Sequence, residues 1–86
     1  MGKVTIRYWA AAKDAAGLPE ESVAAGTLAE ALDTVVASRA PETRLRDVLK
    51  RSSILLDGTR VSPVGAAETT LSDGAVIEVL PPFAGG

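Results

Sequence analysis

The sequence predicts an α+β fold: a mixed sheet of about four to five strands packed on one main helix plus a short helix. Three observations carry this. An alternating strand opens the chain, a capped amphipathic helix occupies its middle, and a dense apolar strand near the end is stopped by Pro81.

The opening stretch Val4-Thr5-Ile6-Arg7-Tyr8-Trp9 alternates with period two. Val4, Ile6 and Tyr8 share one face, and Thr5, Arg7 and Trp9 share the other. This predicts a half-buried strand beginning near Lys3. The Ala-rich segment from Ala10 to Pro19 has room for a helical turn, which Gly17 and Pro19 would end. Glu21-Ser22-Val23-Ala24 reads as a short strand returning antiparallel to the first.

Thr27-Leu28-Ala29-Glu30 has the form of a capping box, in which the Thr27 hydroxyl and the Glu30 side chain satisfy each other's backbone N–H groups. Leu28, Leu32, Val35 and Val36 follow at helical spacing. Pro41 disfavours helix at Ala40, so this main helix is expected to end near Arg39. Leu45, Val48 and Leu49 predict a second, shorter helix.

Ser53 to Val61 reads as strand, Asp57-Gly58 turn, strand. A second turn at Ser72-Asp73-Gly74 leads into Ala75-Val76-Ile77-Glu78-Val79-Leu80, the strongest strand signal in the chain. Pro81 ends that strand because proline has no N–H to give a ladder. A hairpin followed by one long helix must cover a sheet, and the last strand fits beside the first. By analogy with known folds this is the β-grasp, or ubiquitin-like, arrangement, while periodicity alone leaves other α+β folds open. The expected division is a domain over residues 1–80 and an extended tail over residues 81–86.

That tail, Pro81-Pro82-Phe83-Ala84-Gly85-Gly86, is the most informative segment. Two prolines favour an extended conformation, and six residues of it reach roughly 20 Å at most. Gly85 and Gly86 have no side chains, so this backbone passes through a channel that would reject any Cβ. A carboxylate at Gly86 would be ionised at neutral pH and a poor electrophile, with a pKa of about 3.3–3.7. Acyl chemistry there requires activation by another protein. Phe83, the only Phe, is a candidate anchor for the tail in a partner's pocket, the other reading being that it folds back on the domain. Trp9, on the face opposite Val4, Ile6 and Tyr8, is a possible interface residue; packing beneath Ala10–Leu18 is the alternative.

Composition excludes several classes of chemistry. At 86 residues the chain is one domain with a modest core of Val, Leu and Ile. It contains no Cys and no His, which removes thiolate nucleophiles, disulfides and the commonest metal ligand and general base. No metal site is expected, and Glu20, Glu21 and Glu42 have no ligand partners at useful spacing. The net charge of −2 argues against a nucleic-acid partner. No apolar run approaches the roughly 20 residues that span a bilayer, and the start of the chain lacks a signal-peptide pattern, so a cytoplasmic location with no membrane partner is expected. Met1-Gly2 lacks the Ser or Thr of a myristoylation signal at position 6. Arg39, Arg44, Arg46, Lys50 and Arg51 form a basic stretch, read as a solvated helical face with docking to an acidic partner as the minority reading.

The tail resembles the terminus of the molybdopterin synthase small subunits within the MoaD/ThiS sulfur-carrier family. Ser72 to Ile77 resembles that family's turn into its last strand, and Tyr8 to Gly17 resembles its aromatic-Ala…basic-acidic…Gly stretch. Trp9 stands where Phe is usual, and Ala75 where Asp often follows the turn glycine. The resemblance implies a noncatalytic sulfur carrier that binds no cofactor itself. A ubiquitin-activating-like adenylating enzyme would use ATP to adenylate Gly86, and a sulfur donor would convert it to a thiocarboxylate. The large subunit of molybdopterin synthase would then accept Pro81, Pro82, Phe83, Ala84 and Gly85 in a channel, in a heterotetramer. Sulfur carriage into another pathway (thiamine, cysteine or a thio-containing natural product) and conjugation to proteins through Gly86 are the alternatives; an interaction module with an incidental Gly-Gly is the blandest.

Overall fold

The computed structural model describes residues 2–39, 44–62 and 64–82. The elements are β1 (Gly2–Tyr8), α1 (Ala10–Ala16), β2 (Glu20–Ala25), α2 (Leu28–Ala37), α3 (Leu45–Arg51), β3 (Ser53–Leu56), β4 (Thr59–Val61) and β5 (Val76–Leu80). The five strands form one sheet in the order β2-β1-β5-β3-β4. β1 and β5 run parallel, and the other pairs are antiparallel. This is the mixed β-grasp sheet expected from the order of elements.

The alternation in β1 decides which face is buried. Val4, Ile6 and Tyr8 point to the helical side, joined by Ile77 and Val79 from β5 and Ile54 from β3. Leu28, Ala31 and Val35 of α2 and Leu45 and Val48 of α3 close the core over them. The opposite face of the sheet carries Thr5 and Arg7, Val76 and Glu78, Leu55 and Arg60, none of them fully buried.

The capping box forms as expected. The Glu30 N–H donates to Thr27 Oγ1 at 3.2 Å, and Glu30 Oε1 accepts from the N–H groups of Thr27 at 3.1 Å and Gly26 at 2.8 Å. The Asp57-Gly58 turn places both residues at positive φ, 49° and 86°, the backbone that joins a two-residue hairpin without splaying its strands.

One expectation needs correction. There are three helices among the described residues, not two, because the Ala-rich segment folds into the seven-residue α1 rather than a single turn. Gly17 ends α1 as expected, but by capping it: at φ 85° its N–H donates to the Lys13 carbonyl. Ala12 has a side chain small enough to be fully buried at the contact. The main helix stops at Ala37, near Arg39 as expected. Ser38 Oγ and Arg39 Nη1 both donate to the Val35 carbonyl, at 3.0 and 2.6 Å, and so take over an acceptor the last turn leaves open.

Candidate functional site

The tail's root lies at the middle of the sheet. β5 is flanked by β1 and β3, so the chain leaves the body from the central strand of the sheet. Pro81 is buried and Pro82 is exposed. Both line a shallow depression with Ala11 of α1 and Val48 and Arg51 of α3. Phe83, Ala84, Gly85 and Gly86 lie outside the described residues.

Trp9 stands beside this root. Its N–H donates to the Val79 carbonyl at 3.2 Å, extending the β1–β5 pairing by one bond. The residue is 46% exposed, so it does not pack beneath α1. Instead, Nε1–H donates to Glu78 Oε2 at 3.2 Å across the open face of the sheet. Ala10 follows at φ 48°, a left-handed conformation that a residue with a Cβ rarely adopts. The chain turns there from strand to helix. Arg7, Tyr8, Trp9, Ala10, Lys13, Pro19 and Glu20 line a second depression at that corner.

The basic stretch divides. Arg44, Arg46, Lys50 and Arg51 are exposed, as a solvated helical face requires. Arg39 is not part of it. Its guanidinium donates to the Ala16 carbonyl from Nε (3.2 Å) and Nη2 (3.1 Å), to Val35 O from Nη1 (2.6 Å), and to Glu21 Oε2 from Nη2 (2.6 Å). It also lies 5.8 Å from the centre of the Tyr8 ring. Tyr8 completes the cluster by donating its hydroxyl to the same Glu21 oxygen at 2.5 Å. Burial pushes the Tyr8 phenol well above its ordinary pKa, and the Glu21 carboxylate, as acceptor and as charge, raises it further.

Sequence reasoning missed Glu78 and this cluster. Glu78 had a signal, as the one charged residue in the apolar run of β5. Glu21 had none, because only the strand register places it opposite Ile6 on the core face.

What this arrangement does chemically is presentation. It offers an exposed indole, a neighbouring carboxylate and an outgoing chain on one corner. Among the described residues, no helix is long and apolar enough to cross a membrane.

The ThiS family model matches residues 6–86. The small archaeal modifier protein SAMP1 of Methanosarcina acetivorans is 25% identical, with a TM-score of 0.81 over 100% of this chain and 98% of that one. A chain of the complex of subunits 1 and 2 of the molybdopterin-converting factor from Helicobacter pylori is 26% identical, with a TM-score of 0.69 over 98% and 99%. Urm1 from Trypanosoma brucei shares the fold at 15% identity, with a TM-score of 0.71 over 99% and 96%. No curated protein sequence matches. With the family pattern spanning nearly the whole chain and the strand order of a ubiquitin-like domain beneath it, the protein belongs to the ThiS/MoaD family of sulfur carriers.

Proposed function

We propose that this protein is the small, sulfur-donating subunit of a molybdopterin synthase, and that Gly86 is its reactive position. The observation that carries the reading is that the family match runs through Gly86, beyond a strand that delivers its chain to solvent at Pro82. The likeness to a chain of the Helicobacter pylori molybdopterin-converting factor complex supports the molybdopterin branch.

The chemistry proceeds in three steps on partners. An adenylating enzyme joins the Gly86 carboxylate oxygen to the α-phosphorus of ATP, and pyrophosphate leaves. Sulfur at the sulfide level, delivered by a sulfur donor, attacks the acyl carbon, AMP leaves, and a thiocarboxylate remains. The large subunit then takes the tail beyond the buried Pro81, from Pro82 to Gly86, into its active site, where sulfur bonds to a pterin precursor and water cleaves the acyl–sulfur bond, returning Gly86 as a carboxylate. The chain supplies the acyl group and the docking surface. Activation is required because a carboxylate ionised at neutral pH resists nucleophiles.

The likeness to SAMP1 favours a second reading, a modifier attached to other proteins through the same carboxylate. Intact mass spectrometry separates the two. The protein is incubated with its organism's adenylating enzyme, ATP and a sulfur source. Exchange of one oxygen for sulfur, abolished by deleting Gly86, supports the carrier. Heavier protein conjugates support the modifier. An unchanged mass with the active enzyme defeats both.

A further inference from the structure

The open face of the sheet carries one row of side chains whose order follows from the register: Glu20, Arg7, Glu78, Leu55 and Arg60, on β2, β1, β5, β3 and β4. Arg7 Nε is 3.6 Å from Glu20 Oε1, so its charge is drawn toward the sheet edge. Glu78, at the centre, is half-buried between the apolar side chains that share its face, Val76 and Leu80 along β5 and Leu55 beside it. Its polar contact is the neutral indole N–H of Trp9, and among the described residues no ion pair reaches it.

Glu78 is within reach of a partner that receives the chain beyond Pro82, because it lies only four residues back, about 13 Å along an extended strand. Covering the exposed indole also covers the carboxylate bonded to it. An ionised carboxylate removed from water with one neutral donor is strongly disfavoured unless a cation meets it. We propose that Glu78 sets the choice of partner: the docking protein offers an apolar recess for Trp9 and, beside it, an Arg or Lys that pairs with Glu78. A partner with an acidic group at that place is rejected by like charge. The chain is acidic overall, at −2, yet this selection is local and acts at the tail's root.

This inference rests on the partner reading above. It is tested with the full-length protein and two probes, the molybdopterin-converting factor subunit 2 and the adenylating enzyme of the same organism. Affinity is measured by calorimetry at low and high salt for wild type, Glu78→Gln, Glu78→Lys and Arg7→Gln. Glu78→Gln keeps an acceptor for the Trp9 N–H and removes only the charge. It is expected to weaken binding about tenfold or more and to flatten the salt dependence, and Glu78→Lys about a hundredfold, whereas Arg7→Gln changes it less than about threefold. Equal melting temperatures show that the variants fold. If wild type binds and both Glu78 variants bind within about twofold of it, this inference is overturned and the partner reading stands. If wild type binds neither probe, both fall.

Discussion

The Arg39 guanidinium and the Glu21 carboxylate meet at 2.6 Å, tying the end of α2 to β2. The same guanidinium holds the Ala16 carbonyl at the end of α1, so one side chain joins three elements. The side chains are 14% and 21% exposed, short of full burial. Breaking one partner of a fully buried pair costs about 3–5 kcal/mol, and residual solvent lowers that to about 2–3 kcal/mol here. Arg39→Met is expected to lose this amount in urea unfolding. Arg39→Lys should recover less than half of it, since an ammonium cannot reach Ala16, Val35 and Glu21 together. Full recovery by Lys would show that charge alone matters.

Tyr8 predicts an alkaline limit on stability. Folding raises its phenol pKa, through burial first and Glu21 second. The folded state therefore holds this proton more tightly than the unfolded chain. The stabilisation is complete below the unfolded phenol pKa of about 10 and is lost as pH rises beyond it. Tyr8→Phe, which has no proton to lose, should show a flatter fall in stability between about pH 10 and 11.5. Near neutral pH the same variant should cost about 1–2 kcal/mol for the lost hydrogen bond to Glu21. Parallel alkaline profiles for the two proteins would exclude Tyr8 as the source.

Much of this fold was legible because its signals are local. The Thr27–Glu30 capping box, the Asp57-Gly58 turn and the alternation of Val4, Ile6 and Tyr8 each fit within a few residues, and each appears as expected. α1 was not legible as a helix because an almost all-Ala segment shows no apolar periodicity. The Arg39–Glu21–Tyr8 cluster was hidden for a different reason. Its members are 18 and 13 residues apart, and nothing in the order of residues aligns them until β1 and β2 pair. At the site, the root at Pro81 and the exposure of Trp9 follow from strand alternation and proline chemistry. The Trp9–Glu78 bond spans 69 positions and depends on the parallel pairing of β1 with β5.

Gly2 predicts an intolerance at the edge of the fold. A Cβ there would stand 2.7 Å from the Asp73 Cα, a backbone atom with no freedom to swing aside. The same approach lets the Lys3 N–H donate to Asp73 Oδ1 and the Gly74 N–H donate to the Lys3 carbonyl, both at 2.8 Å. Gly2→Ala must push β1 from the turn and stretch these bonds. The expected loss is about 1–3 kcal/mol, or roughly 4–20 °C in melting temperature for a domain of this size. An unchanged melting temperature would show that this contact does not constrain the native state.

Ala10 gives a test of backbone strain at the corner that presents Trp9. At φ 48° its Cβ crowds the backbone, at a cost of about 1–2 kcal/mol. In an ordinary helix Ala is the most favourable residue and Gly the poorest short of Pro. At this position the order should invert. Ala10→Gly removes the crowding and is expected to match or exceed wild type by up to about 1 kcal/mol, the gain limited by the extra freedom of Gly in the unfolded chain. Ala10→Val adds a branched Cβ where even a methyl is strained and should lose more than about 2 kcal/mol. The rank order from chemical denaturation decides the matter. Gly at or above Ala, and both above Val, supports a left-handed residue that aims Trp9 outward. Ala above Val above Gly would be ordinary helical behaviour and would place the turn elsewhere.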